Sequence, residues 1–398
     1  MLQKERKERY QLEFVSIEAF VPEDHLLRKI DAAVDFNKIY DFVEDLYCPD
    51  NGRPNIAPVV LFKITLIQHI FGIPSLRNTA EEVRMNVGYR WFIGYLLNEE
   101  TPHFSTLSYN FKHRYTPETA EKIFDWILNE INNAGYLSPE TVFVDGTHIK
   151  ANANIKNVVK KEIHKAAKIY EKQLMDEINE DREEHSKKPF DGLYDKITEK
   201  HPEIETVVMD AGYKTPWICK KVFDDKRIPV LPYKRPIGKT GFFRPYSYIF
   251  DEYYDCVLCP EDHVLSYATT NRDGYREFKS KGYQCENCPS IGYCTESVKR
   301  KKLVTKHIWE NYLERAEDIR HTHEYKVLYS NRKETIERVF ADAKEKHAMR
   351  YTNHRGLSQV TNWVRLKFAA MNLKKYAIHR WKELLSCLYF VIFEPVFA

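Results

Sequence analysis

The sequence predicts an α/β fold, α+β overall, and three observations carry that reading. Helical periodicity fills roughly the first third of the chain. Two short β-branched runs then end on aspartate, in "TVFVDGTH" and "ETVVMDAGY". An aromatic, β-like stretch around residue 250 is laced with cysteines. At 398 residues the chain is long enough for two or three domains. A hydrophobic fraction of 43% and a charged fraction of 30% exclude an intrinsically disordered chain. The formal net charge of +3 is too small to establish a nucleic-acid partner, so where the charge lies matters more than its sum.

Residues 1–135 read as a helical domain. "DHLLRKIDAAVDFNKIYDFVEDLY" sets Leu26, Ile30, Ala33, Ile39, Phe42 and Leu46 at helical spacing. "NIAPVVLFKITLIQHIFGI" is apolar on all sides, as a buried helix is, with Pro58 at its start where a helix tolerates it. Two further helical segments follow, and across them Arg77, Arg84, Arg90, Lys112, His113 and Arg114 form either a phosphate-facing surface or ordinary solvated faces. "MLQKERKERYQLEF" lacks the apolar core of a secretory signal. "LLSCLYFVIFEPVFA" is shorter than the roughly 20 residues a membrane helix needs, so no membrane is expected and the segment reads as packed on the fold. Eight cysteines without a signal peptide point to a reducing, cytoplasmic setting, where paired cysteines hold metal more often than they form disulfides.

Residues 136–236 open an α/β core. A strand at 140–145 precedes a long charged helix, "IKNVVKKEIHKAAKIYEKQLMDEINEDREEHSKK". "ETVVMD" and "IPVLPY" are short apolar strands joined by one helix, which predicts parallel pairing. The first strand ends on Asp145 and the second on Asp210. Either aspartate alone suits a turn as well as a metal. Residues 237–303 form the cysteine-rich β segment, and residues 304–398 return to basic helices.

Two strands ending in aspartate call for a third acid, and the helix after Tyr329 offers Glu334, Glu337 and Glu345. Ile336, Val339, Phe340 and Ala343 make its α-helical stripe, and Glu337 and Lys344 border that stripe. Glu334, Arg338 and Asp342 alternate in sign like a solvated, ion-paired face. Glu337 is therefore the expected partner. Three carboxylates on two strand ends and one packed helix suit two divalent ions about 3.5–4 Å apart, and hard oxygen ligands suit Mg²⁺ or Mn²⁺. Lys344 is placed to steady a phosphate.

"FVDGTHIKANAN", "VVMDAGYKTP" and "NRKETIERVFADAKEKHAMRYTNHRG" together resemble the DDE-class insertion-sequence transposases, and "GRPNIAPVVLFKITLIQHIFGIPSLRNTAEEV" and "TPHFSTLSYNFKHR" are similar to the helical domain that precedes their core. The resemblance spans nearly the whole chain. It implies an RNase H-like catalytic core and metal-dependent phosphodiester cleavage and strand transfer. Asp145, Asp210 and Glu337 match the metal-binding triad, and Arg332, Arg338 and Lys344 match the basic residues around the glutamate. It further implies contact with the terminal inverted repeats and target DNA, action as a homodimer, and a nucleoid-associated location. Arg77, Lys112, Arg114, Lys150, Arg332, Arg338 and Arg350 are the residues expected on DNA. No Gly-rich nucleotide loop appears.

An RNase H-like sheet normally carries an antiparallel hairpin between its first and second aspartates. Between Asp145 and Asp210 this sequence shows no period-2 segment, and the join at "SKKPFDGLYDKI" reads as a place where one is absent. The alternative reading is thus an internally shortened transposase that binds DNA without cutting it. Cys256-x2-Cys259 and Cys285-x2-Cys288, with Cys294 nearby, have the spacing of a structural zinc ribbon. The ligands are either the two pairs or the set Cys259, Cys285, Cys288 and Cys294.

Overall fold

A computed structural model describes residues 14, 16–47, 56–138, 140–147, 149–151, 190, 192, 194–234 and 239–393, with side chains up to residue 384 apart from that of Ala151. The charged segment expected to be helical after residue 154 and most of the interval expected to lack a hairpin lie outside these. The chain divides into two compact units. One comprises Met1–Ser138, Thr147–Lys165 and Val339–Ala398, and the other Pro139–Gly146 and Ala166–Arg338.

The first unit is helical. Pro58–Ile70 starts on its proline and buries residues on every side, Leu61, Phe62, Ile64 and Ile67 among them. The helix Leu357–Phe393 packs on it and on Leu26–Asp31 and Pro117–Asn133. Ring contacts of Phe62 and Trp126 with Phe36 lie at the centre of the resulting core. Helix starts follow local chemistry: Ser75, Asn86 and Thr116 each accept a hydrogen bond from a first-turn N–H. Two short strands, Lys150–Ala151 and Tyr351–Thr352, pair in parallel at its surface.

The second unit holds two sheets. In the first, Thr141–Val144, Thr206–Met209 and Ile228–Val230 run parallel with Thr206–Met209 in the middle, as the sequence predicts for the last two. The crossover helix Pro216–Asp224 begins at Thr215, whose hydroxyl accepts from the Ile218 N–H. The central strand is buried at every position, as a sheet covered on both faces requires. Val142, Val144, Val207 and Met209 face a cluster with Ile218, Val222 and Ala316, while Phe143, Val208 and Val230 face Tyr325 and Tyr329 of the helix His323–Arg332. The second sheet is an antiparallel meander of Ile249–Asp251, Cys256–Leu258, Val264–Thr270, Tyr275–Lys279 and Leu303–His307. Its hydrophobic cluster is small: Val257, Leu265 and Phe278 are buried, with Tyr248, Phe250, Cys259 and Val304 half-buried against them. Among the described residues no helix is long and apolar enough to cross a membrane.

Candidate active site

Strand register brings the two aspartates together. Val144 pairs with Met209, so the next residues on each strand, Asp145 and Asp210, leave the sheet side by side at its carboxyl edge, where ligands of open α/β sheets bind. Period-2 alternation puts both on the side of Phe143 and Val208, the face covered by the helix His323–Arg332. That helix delivers Arg332. Its continuation is a π-turn, Lys333–Glu337, in place of the uninterrupted α-helix expected from the sequence. A π-turn stacks residues five apart, whereas an α-helix would rotate Glu337 away from Arg332.

The three acids meet on one guanidinium. Arg332 Nη2 donates to Asp145 Oδ2 at 2.6 Å and Nη1 to Glu337 Oε1 at 2.9 Å, while Asp210 Oδ1 lies 3.9 Å from Nη1. Asp145 is also held by the Gly146 N–H, which donates to Oδ1 at 2.8 Å. Its side chain is 17% exposed, whereas those of Asp210 and Glu337 are 48% exposed. At 4 Å two unit charges interact by about 4 kcal/mol in a surface-like dielectric, so a cation among three carboxylates offsets a repulsion that would otherwise drive them apart. Arg332 itself is 7% exposed, and its Nε is buried without a hydrogen-bond partner.

Two tyrosines flank these groups and escaped the sequence reading, although "MDAGY" and "YSNR" hold them. Burial, and then the negative charges of Asp145 and Asp210, push the Tyr213 hydroxyl above its ordinary pKa. Burial is also the main cause of the raised Tyr329 pKa; the charge of Arg332 and its hydrogen bond to the hydroxyl oppose it, and Asp210 and Glu337 add to it. Both hydroxyls stay protonated at neutral pH and are available as donors.

The other expected residues scatter. Lys344 belongs to the helical unit and is half-buried. Arg77 is exposed and lies 4.5 Å over the Phe104 ring; Lys112 is exposed; Arg114 stacks on Tyr47 and donates to its hydroxyl at 2.8 Å. Lys150 and Arg338 are exposed, and Arg350 is exposed and paired with Glu345. Arg332 is the exception among the residues expected on DNA, because it is buried among the acids. Arg90 departs from the phosphate-facing surface too: it is buried and donates to the carbonyls of Arg84, Leu96 and Glu99.

Cys259, Cys285, Cys288 and Cys294 line one small cavity in the meander unit. Tyr248 Oη lies 3.2 Å from Cys294 Sγ, and Cys285 Sγ donates to Ser280 Oγ at 3.3 Å. Burial raises the Cys294 thiol pKa. Cys256 is not among the residues lining that cavity. It shares a strand face with Ser266, opposite to that of Val257, and its raised thiol pKa reflects burial and then Asp251 and Asp255. Among the described residues no three or more His, Cys, Asp or Glu are drawn close enough to hold a metal ion; at the triad a guanidinium spaces the acids.

Two family models match the chain. "Transposase domain (DUF772)" covers residues 15–113, and "Transposase DDE domain" covers 258–377, which includes Glu337 and four of the five clustered cysteines but begins after Asp145 and Asp210. Comparison with curated proteins and with solved structures found no match. DDE transposase domains act on DNA and generally use divalent metals. With both models agreeing, the chain is an insertion-sequence DDE transposase.

Proposed function

We propose that Asp145, Asp210 and Glu337 are the catalytic acids of an RNase H-like core that cuts and joins DNA at the ends of its element. The observation that carries this is their convergence on one cationic group at the carboxyl edge of a parallel sheet. Oxygen-only donors at a half-exposed edge suit Mg²⁺ or Mn²⁺ and a bulky phosphodiester substrate better than a soft metal. One or two such cations held there would activate water or a DNA 3′-hydroxyl and offset charge at the scissile phosphate. The chain's own part is positional. Gly146 N–H fixes the Asp145 carboxylate, strand register fixes Asp210 beside it, and the π-turn turns Glu337 toward both. Tyr213 and Tyr329 offer hydroxyl donors at the rim.

Asp210→Asn tests this reading. We expect wild-type protein, its cysteines saturated with zinc, to bind Mn²⁺ by calorimetry and to nick DNA carrying the element ends. The variant is expected to lose both while keeping salt-sensitive DNA binding. Matching isotherms for the two proteins would sink the triad. Intact DNA binding without cleavage in the wild type would favour the DNA-binding remnant, a reading supported by the three-stranded, wholly parallel sheet among the described residues.

The supporting roles follow the same reading. Arg77, Lys112, Arg114, Lys150, Arg338 and Arg350 hold DNA, and the protein works as a homodimer on paired ends, in the cytoplasm at the nucleoid. Lys344 steadies a phosphate. Cys259, Cys285, Cys288 and Cys294 hold a structural Zn²⁺, which would draw the four thiols that line one cavity into a closed tetrahedral site, and the small hydrophobic cluster beside them is too slight to fix the meander alone.

A further inference from the structure

We propose that Arg332 is a displaceable place-holder for the divalent cation: its guanidinium keeps the three acids together in the metal-free chain and yields their oxygens when the cation binds. The inference rests on the carboxylate reading above and concerns how that site is regulated.

Three observations lead there. The fork takes one oxygen each from Asp145 and Glu337, at 2.6 and 2.9 Å, and reaches Asp210 only at 3.9 Å. Octahedral Mg²⁺ draws its oxygens in to about 2.0–2.1 Å, so a cation gathering the three carboxylates needs the space between them that the guanidinium occupies. Second, the clamp is incomplete: Nε is buried with no acceptor, and Asp210 keeps its contact at ion-pair distance only. Third, Arg332 ends the helix His323–Arg332 and abuts the π-turn, a rare conformation that a shift to regular α-helix can release. Asp210 and Glu337 open to solvent beside it, which gives a hydrated cation its approach.

Competition and support predict opposite signs. If Arg332 competes, only the fraction of molecules with the fork withdrawn binds metal, and apparent affinity is reduced by that fraction. Arg332→Ala should then bind Mn²⁺ about tenfold more tightly than wild type, corresponding to a withdrawn population near 10%. Arg332→Lys, which keeps the charge but loses the two-pronged geometry, should fall between. The same Arg332→Ala protein should melt lower than wild type in EDTA and gain more from saturating Mn²⁺. Unchanged or weaker Mn²⁺ binding in both variants would overturn the proposal. Should Arg332→Ala fail to fold, the wild type decides alone. With ¹⁵N-labelled arginine, the one guanidinium resonance absent from Arg332→Lys should be broadened by restricted rotation in EDTA and sharpen on adding diamagnetic Mg²⁺. No change on Mg²⁺ addition rejects the exchange. Asp210→Asn separates the two layers: if it binds Mn²⁺ like wild type, the carboxylate site itself is wrong. If it loses binding while the Arg332 variants gain none, only the place-holder is wrong.

Discussion

Asp145 and Asp210 are equivalent in the sequence, each closing an apolar strand, yet their surroundings differ. Asp145 is mostly buried and gripped by both Arg332 and the Gly146 N–H; Asp210 is half-exposed and only near the guanidinium. In EDTA, Asp145→Asn should therefore cost about 1–3 kcal/mol in urea unfolding, the scale of an unmade buried charged bond. Asp210→Asn should cost less than about 1 kcal/mol, the scale of an exposed pair. Equal losses would mean that the acids share Arg332 evenly. Phe62, 1% exposed and within ring contact of Phe36 and Trp126, marks the opposite extreme. Phe62→Ala should destabilise the helical unit by about 3–5 kcal/mol without altering the acids' metal affinity.

At the scale of elements, the turn after Pro58–Ile70 depends on Gly72, whose φ of 66° lies in the left-handed region and whose added Cβ would come 2.7 Å from the Lys346 carbonyl oxygen. Gly72→Ala should cost more than about 1 kcal/mol in thermal unfolding, because backbone rather than a flexible side chain must give way. The meander depends on its cysteines instead. Cys294→Ser should purify without zinc and be cleaved faster by protease in the meander, whereas Cys256→Ser should retain one zinc per chain. Zinc retained by Cys294→Ser and lost from Cys256→Ser would restore the two-pair ligand set. The loop that follows shares this fastening: Lys302 Nζ donates to the Cys294 carbonyl at 2.8 Å, and the Lys302 N–H to Ser280 Oγ, the group Cys285 also meets.

Across the helical unit as a whole, a buried basic cluster sets the response to pH. His69 is fully buried with neither ring nitrogen hydrogen-bonded, His347 Nδ1 lies 2.8 Å from the His69 carbonyl oxygen, and Lys367 Nζ donates to the His347 carbonyl. Burial holds the His69 and His347 pKa values low, pulls His354 down to about 4, and lowers Lys367 to about 7. Each folded pKa lies below its unfolded value, so the unfolded chain binds more protons and stability rises with pH. His354 contributes from about pH 4 to 6.5, His69 and His347 add stability in the same direction below about pH 6.5, and Lys367 contributes from about 7 to 10, by up to about 1.4 kcal/mol per pH unit for each group. The melting midpoint should therefore fall on acidification from pH 8 to 5. Lys367→Met should flatten the alkaline limb and raise the midpoint near pH 6; an unchanged profile would show that Lys367 is not titrating.

The sequence by itself determined the mixed class, the helical first third and the parallel pair around Pro216–Asp224, and it nominated the three candidate acids, because strand and helix periods and terminal aspartates are local signals. Tertiary structure decided what those acids face. Strand parity turned Asp145 and Asp210 toward the helix His323–Arg332, and a π-turn, invisible to a 3.6-residue period, aligned Glu337 with Arg332. Burial then separated arginines that look alike in sequence: Arg90 is spent on backbone carbonyls, Arg332 on carboxylates, and Arg338 lies at the surface. Charge type is written locally, but what neutralises a charge depends on which distant groups folding brings within a few ångströms.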